Sequence, residues 1–512
     1  MARFWLAFLV LLVANAAILI TSRLYPFVDL PNHLATATIY RHIGESGNEF
    51  AKYFAVHPVF PNANVVHLMV VGSQIFPSVE WANRLFYILC LVLVPGSTWL
   101  LIREVGGDSW RALLAFPLVF HLNTVFGFVG FTIAVPVLML AVFATMRSLR
   151  GSLWWSVLTG ALLMLLFCAH ALAFLFGLLV CCAIFAQSAA NRGRIVAAAP
   201  SAWMFATWWM RRPVEESTLT YMADYYWHHY FWNLPVRALF PLMDFYQLLP
   251  GALGPLLAAG LAGVILVPLV RNWRDGIAAG RHRPLAILLF AALVCCIVLP
   301  PEIPREPVLY QRFSVFLFLA AIVLISRRPL PLRWRAGVFG IALACTALRA
   351  HYFREFNREN EGFDAAFLRR AEGRTMGIVY EPGFRGWPLY IHFPNYKIVW
   401  NHGIAGTAAI DYRFGVVRRK AGTDALPVYR EWIREHGTYS GEYASVENLL
   451  VRGDPPREWL DRPSGVRYSE FGRAGMWHLY RNGAAGRGMI NEGSGKRDGR
   501  VAQLAEQLTL NQ

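Results

Sequence analysis

The sequence predicts a mainly α-helical protein: a polytopic membrane bundle of about eleven spanning helices, followed by a small extracytoplasmic α/β domain. Three observations carry this. Hydrophobic residues make up 56% of the 512-residue chain and charged residues only 16%, with a mean hydropathy of +0.39. A soluble domain carries roughly a quarter charged residues. The depletion is local, because windows long and apolar enough to cross a bilayer recur up to residue 350 and then stop.

The spanning segments fall near residues 4–21, 83–102, 110–124, 127–146, 152–169, 171–190, 195–210, 251–270, 284–300, 309–326 and 335–350. They are read as helices because lipid cannot satisfy an open backbone. The first run, RFWLAFLVLLVANAAILIT, continues past the small residues at 14–16 and is long for a cleavable signal. NVVHLMVVGSQIF (64–76) is short and is expected to lie along the interface. Arginines mark one set of loops: Arg103 and Arg111, Arg147 and Arg150, Arg192 and Arg194, RNWRDGIAAGRHR, and RRPLPLRWR. Placing these inside puts the N-terminus in the cytoplasm and residues 351–512 outside. The net charge of +16 thus serves orientation, and the expected partner is the bilayer rather than nucleic acid.

Three regions follow: a transmembrane domain 1–350 with outer loops 22–82 and 211–250, a soluble α/β domain 351–485, and a disordered tail 486–512. In the soluble domain FDAAFLRRAEG and LPVYREWIREHG read as helices; TMGIVYEP, YKIVW, ENLLVRG and MWHLYRNG read as strands. The seven cysteines all lie in apolar segments without metal-ligand spacing. The outer domain has none, so no disulfide framework holds it. The tail ends in RVAQLAEQLTLNQ, which resembles the peptide read when a frame runs through a tRNA gene on the wrong strand. Deleting 486–512 is expected to leave expression, insertion and activity unchanged. A loss of folded protein in membrane extracts would contradict this.

Four features carry candidate chemistry. Asp29 and His33, with Asn32 between them, stand one turn apart if LPNHLATATIY is helical, and Pro31 suits a first turn. Asp29 either caps that helix or performs chemistry at the membrane surface. HPVFPNAN (57–64) offers His57 to an anionic headgroup, or is a rigid surface loop. Loop 211–250 is crowded with aromatics and holds Asp224 and Asp244. It is either an interfacial aromatic belt or a cleft wall for a sugar or lipid. Arg312, at the end of an apolar helix, either snorkels to headgroups or pairs with a phosphate.

The order of features resembles the GT-C superfamily of polytopic glycosyltransferases. The similar branch holds the lipid A aminoarabinose transferases, protein O-mannosyltransferases and Rgt-type galacturonosyltransferase-like proteins. VDLPNHLATATIYRHIGESG is similar to that family's DExYYxxxAxxLxxxG helix, with Asp29 in the acidic position, Ala35 or Ala37 in the Ala position and Gly47 closing it. HPVFPNANVVHLMVVGSQIF matches the next segment, with His57 where the family often has Lys or His. EWANRLFYILCLVLVPGSTWLLIREVGG and LLFCAHALAFLF, with His170 at its apex, continue the likeness. The family's acidic pair is reduced here to Asp29–Leu30.

The resemblance implies an inverting transfer of a sugar from a polyprenyl-phosphate-linked donor to a lipid, glycan or protein acceptor outside the membrane. It implies Asp29 as the base for the acceptor hydroxyl, which must be ionised and within reach. It also implies cations to meet the donor phosphate, and His57, Arg312 and Arg84 are the candidates. His33, Asn32, Asp224, Asp244 and His170 are candidate cleft residues. No cofactor is expected and no metal site is assigned, a divalent metal being left open. Two alternatives stay open: a flippase for lipid-linked glycans, and an inactive relative acting as a scaffold.

Overall fold

The structure is a computed structural model. It describes residues 1–211, 225–226, 237, 241, 253–271, 282–303, 308–381, 384, 388–405, 415–420, 423, 430–431, 446–460 and 467–483. Asp224, Asp244 and the tail 486–512 lie outside the described residues. In chain order the main helices are α1 (Ala2–Thr21), α2 (Leu30–His42), α3 (Val79–Glu104), α4 (Val129–Ser148), α5 (Leu153–Ala169), α6 (Ala171–Ala186), α7 (Ala199–Met210), α8 (Leu253–Arg271), α9 (Arg283–Val298), α10 (Ser314–Ile325), α11 (Leu332–Glu359) and α12 (Tyr396–Asn401). The strands are β1 (Phe54–Val56), β2 (Thr375–Val379), β3 (Val417–Arg419), β4 (Arg430–Glu431), β5 (Asn448–Arg452), β6 (Tyr468–Ala474) and β7 (Trp477–Asn482).

Among the described residues five helices are long and apolar enough to cross a membrane by length and composition: α1, α3, α4, α8 and α11. Helices α5, α6 and α9 and the stretch Tyr310–Ile325 are shorter but apolar. The chain is thus a multi-pass membrane protein. Contacts divide it into two compact units. One comprises Met1–Ser22, Pro58–His67 and Arg84–Phe353; the other comprises Arg23–His57, Leu68–Asn83 and Arg354–Gln512.

In the first unit α4 is enclosed, packing on α5 and α6. Helix α1 instead leaves Trp5, Leu6, Leu9, Val10, Val13 and Ile20 exposed. That much apolar surface on one helix is suited to lipid, not water. The span expected at 110–124 is absent. The chain there forms 3-10 turns at Ser109–Ala115 and Pro117–Phe120, then a short helix, Leu122–Val125. Pro117 has no N–H to continue an α ladder. The guanidinium of Arg349 bonds two carbonyls at the break, Phe116 O at 3.1 Å and also Pro117 O. The expected span 195–210 is likewise split into a 3-10 stretch, Ala189–Ala198, and α7. The helix expected to lie along the interface covers only Val66–Val71. It stops at Gly72, where a side chain would strike Leu68 O at 2.7 Å and Tyr40 at 2.9 Å.

The second unit holds a five-stranded mixed sheet in the order β4-β2-β5-β7-β6. β2 runs parallel to β4 and β5, and β7 runs antiparallel to β5 and β6. Every residue of β2 and β5 is buried, as expected of parallel strands covered on both faces. A second, two-stranded ribbon pairs β1 with β3. Of the helix expected in LPVYREWIREHG, residues 430–431 form β4 instead, and the rest lies outside the described residues.

YKIVW is helical, as α12, rather than a strand. Its β-branched residues are overruled by tertiary context. A turn at Phe393–Asn395 feeds it, and Tyr396 and Trp400 stack one turn apart at 4.4 Å. The Lys397 ammonium donates to Leu368 O at 3.2 Å and also to Ala371 O, which a strand would not allow in this register. Gly377 of β2 lets this turn sit against the sheet, since a Cβ there would meet Pro394 at 1.9 Å.

Candidate active site

Helix α2 starts without help from its N-cap side chain. Asp29 makes no capping hydrogen bond, and Pro31 stands in the first turn. Backbone alone closes the turn, with His33 N donating to Asp29 O at 3.2 Å. The capping role open on sequence grounds is therefore not the one the carboxylate plays. It faces His392 instead, with Nε2 3.0 Å from Asp29 Oδ1. The imidazole is buried, 5% exposed, and the carboxylate is 30% exposed. One turn along, Asn395 Nδ2 donates to Asn32 Oδ1. Helix α2 packs on α12 and on the turn that follows His392.

The geometry suits a base. An imidazole N–H directed at one carboxylate oxygen fixes its orientation, and partial exposure leaves acceptor lone pairs for a substrate hydroxyl. His33 belongs to the same cluster. Burial holds it below its ordinary range; Asp29 opposes this and His392 adds to it. The sign follows from linkage. A histidine lowered in the folded state contributes fully above its ordinary value of 6.5 and loses that contribution as the pH falls towards the lowered value. Stability is therefore expected to fall as the pH drops through about 6.5. In His33→Gln that part of the slope should vanish, as read from denaturation midpoints across pH. An unchanged slope would remove His33 as its source.

The other candidates lie elsewhere. His57 follows β1; its N–H bonds Val416 O at 2.7 Å. Burial first, and then Arg418, hold its imidazole below the ordinary range. Helix α2 packs on β3 of the same ribbon. In the first unit, Arg84 reaches Ser22 O at 3.5 Å.

Arg312 does not snorkel: it is 2% exposed. Its Nε donates to Val308 O at 3.1 Å, its guanidinium lies 4.2 Å over the Phe128 ring, and Nη1 is 3.3 Å from His170 Nε2. His170 Nδ1 accepts from Leu172 N at 3.2 Å. Arg312 and His170 are thus paired with each other inside the first unit. Val308, a β-branched residue, adopts φ +57°, a strained conformation of the kind that concentrates at functional sites.

Sequence reasoning named Asp29, Asn32 and His33 as candidates and did not name His392 and Asn395, which the structure places beside them. The only trace was spacing: Pro394 marks a turn, and His392 and Asn395 are three apart, like Asp29 and Asn32.

No family model matches the chain, and no curated protein does. Among solved structures, ArnT from Cupriavidus metallidurans, crystallised bound to undecaprenyl phosphate, aligns over 96% of this chain and 99% of its own, at 13% identity and a TM-score of 0.48. The mycobacterial arabinofuranosyltransferase AftD aligns over 94% of this chain but 40% of its own, at 13% identity and a TM-score of 0.45. Both likenesses are distant, and the functional reading rests on the residues.

Proposed function

We propose that the protein is a membrane glycosyltransferase of GT-C type, transferring a sugar with inversion from a polyprenyl-phosphate donor to a lipid, glycan or protein hydroxyl on the outer face of the inner membrane. One observation carries this reading: the Asp29 carboxylate is left free by its own helix and held by His392. In the proposed step Asp29 takes the acceptor hydroxyl proton. The acceptor oxygen then bonds the anomeric carbon from the face opposite the phosphate. The bond from that carbon to the phosphate oxygen breaks, and polyprenyl phosphate leaves with the electron pair. For the donor phosphate, His57 is the candidate in the same unit as Asp29, since it follows β1 of the ribbon on which α2 packs; Arg312 and Arg84 are further candidates.

The deciding experiment is mass spectrometry of envelope glycolipids and glycans in a deletion strain carrying wild type or Asp29→Asn. A modification lost on deletion, restored by wild type and not by the variant supports the reading. A glycan profile that deletion leaves untouched sinks it. Orientation is tested separately. Glu372 and Gly193 are exposed, and the proposal puts them on opposite sides. Glu372→Cys should react with an impermeant thiol reagent in spheroplasts above the wild-type level, and Gly193→Cys should not. The reverse pattern would overturn the topology.

A further inference from the structure

A second cluster sits at the other end of the helices that form the Asp29 site. His42, the last residue of α2, has Nδ1 2.8 Å from Glu45 Oε1. The ring of His402, the C-cap of α12, lies 4.4 Å from that of His42, centroid to centroid. A ligand atom of each of the three residues lies within 4.8 Å of the others. We propose that His42, Glu45 and His402 bind one divalent transition-metal ion, with Zn²⁺ the best fit.

The donor set argues for this. Two imidazoles and one carboxylate, with room for a water, make an open tetrahedral zinc site. Harder ions such as Mg²⁺ and Ca²⁺ favour all-oxygen shells. Tetrahedral ligands at zinc distances stand about 3.4 Å apart, so the His42–Glu45 pair would open from 2.8 Å and the wider separations, all within 4.8 Å, would close. Glu45 is able to move, since its side chain is 54% exposed.

A plain i,i+3 ion pair between His42 and Glu45 leaves His402 unexplained. His402 comes from a distant segment and holds φ +53°, a conformation few side chains adopt. The turn that carries Glu45 is itself built. Asn48 Nδ2 donates to His42 O at 2.9 Å and to Glu45 O at 3.3 Å, and Asn48 Oδ1 accepts from Phe50 N at 2.9 Å. Phe50 is fully buried and its ring lies 5.9 Å from that of His402.

The position suggests what the ion does. Helix α2 and the segment 392–402 run side by side and parallel. Asp29 meets His392 at one end, Asn32 meets Asn395 a turn on, and His42 meets His402 at the far end. A metal at the far end staples the pair and so steadies the near end. This does not depend on the glycosyltransferase reading.

The test uses tag-free full-length protein in detergent, stripped with EDTA and titrated with ZnCl₂ by calorimetry, with bound metal counted by mass spectrometry after desalting. Wild type should hold one Zn²⁺ per chain and unfold at a higher temperature when loaded. Glu45→Gln removes the anionic ligand at an exposed position. His402→Asn removes the imidazole, and Asn tolerates the left-handed backbone. Each should weaken binding by about tenfold or more, since even outer-shell changes cost that much. Should His402→Asn fail to fold, Glu45→Gln decides alone. The protein has 14 histidines, so zinc bound equally well by wild type and variants means an adventitious ion and overturns the proposal. So does a wild type that retains no stoichiometric zinc.

Discussion

Asp29→Asn should accumulate, insert and fold as wild type does, yet under the proposed function transfer sugar about a hundredfold more slowly or worse, the scale of general base catalysis. The structure makes this substitution clean. Asp29 gives no side-chain bond to its helix, so the change takes nothing from the start of α2. Asparagine keeps the size, and its amide oxygen still accepts from His392. Only the negative charge and the ability to take a proton are lost. The measurement is turnover of extracted donor by purified protein, beside a melting curve of the same sample. A variant that melts normally and turns over normally would end the assignment of Asp29 as base.

His392 should show a different signature. Under the proposed function it acts through Asp29 and not on substrate, so its loss should lower kcat while the acceptor KM moves little. His392→Ala removes the group that aims the carboxylate, and misaiming a reactive group costs on the order of a hundredfold. It also leaves a hole where a buried ring stood, so stability will fall too. His392→Gln separates the two effects. Its amide N–H reaches towards the position of Nε2, so much of the kcat should return. If Gln is as slow as Ala, His392 does more than orient Asp29. If both retain wild-type kcat, the 3.0 Å pairing has no part in turnover.

How much of this was written in the sequence depends on distance along the chain. The apolar spans are legible because each is one uninterrupted composition, and α1 and α4 fall where they were expected. The segment 110–124 misleads because its apolar count is right while Pro117 cannot continue its ladder, and carbonyls at the break are bonded by Arg349, more than 200 residues later. Tyr396–Asn401 misleads for a related reason: its local preference is β, but contacts from Lys397 to distant carbonyls decide its shape. Asp29 stood out because a carboxylate just beyond an apolar helix is conspicuous. His392 did not, because its meaning comes only from what it touches. The burial of Arg312 was equally hidden, since a helix end looks the same in sequence whether it meets headgroups or a packed interior.

The 363 residues that separate Asn32 from Asn395, and equally Asp29 from His392, set a clock on biogenesis. At ordinary rates of translation the second partner leaves the ribosome roughly 20–70 s after the first. Throughout that interval the N-terminal segment is already made, and Asp29 has no His392 to pair with. A chain truncated before residue 392 would carry Asp29 without its partner. Under the proposed function, premature termination should therefore yield silent fragments rather than partly active, unregulated ones, a form of quality control that needs no separate inhibitor.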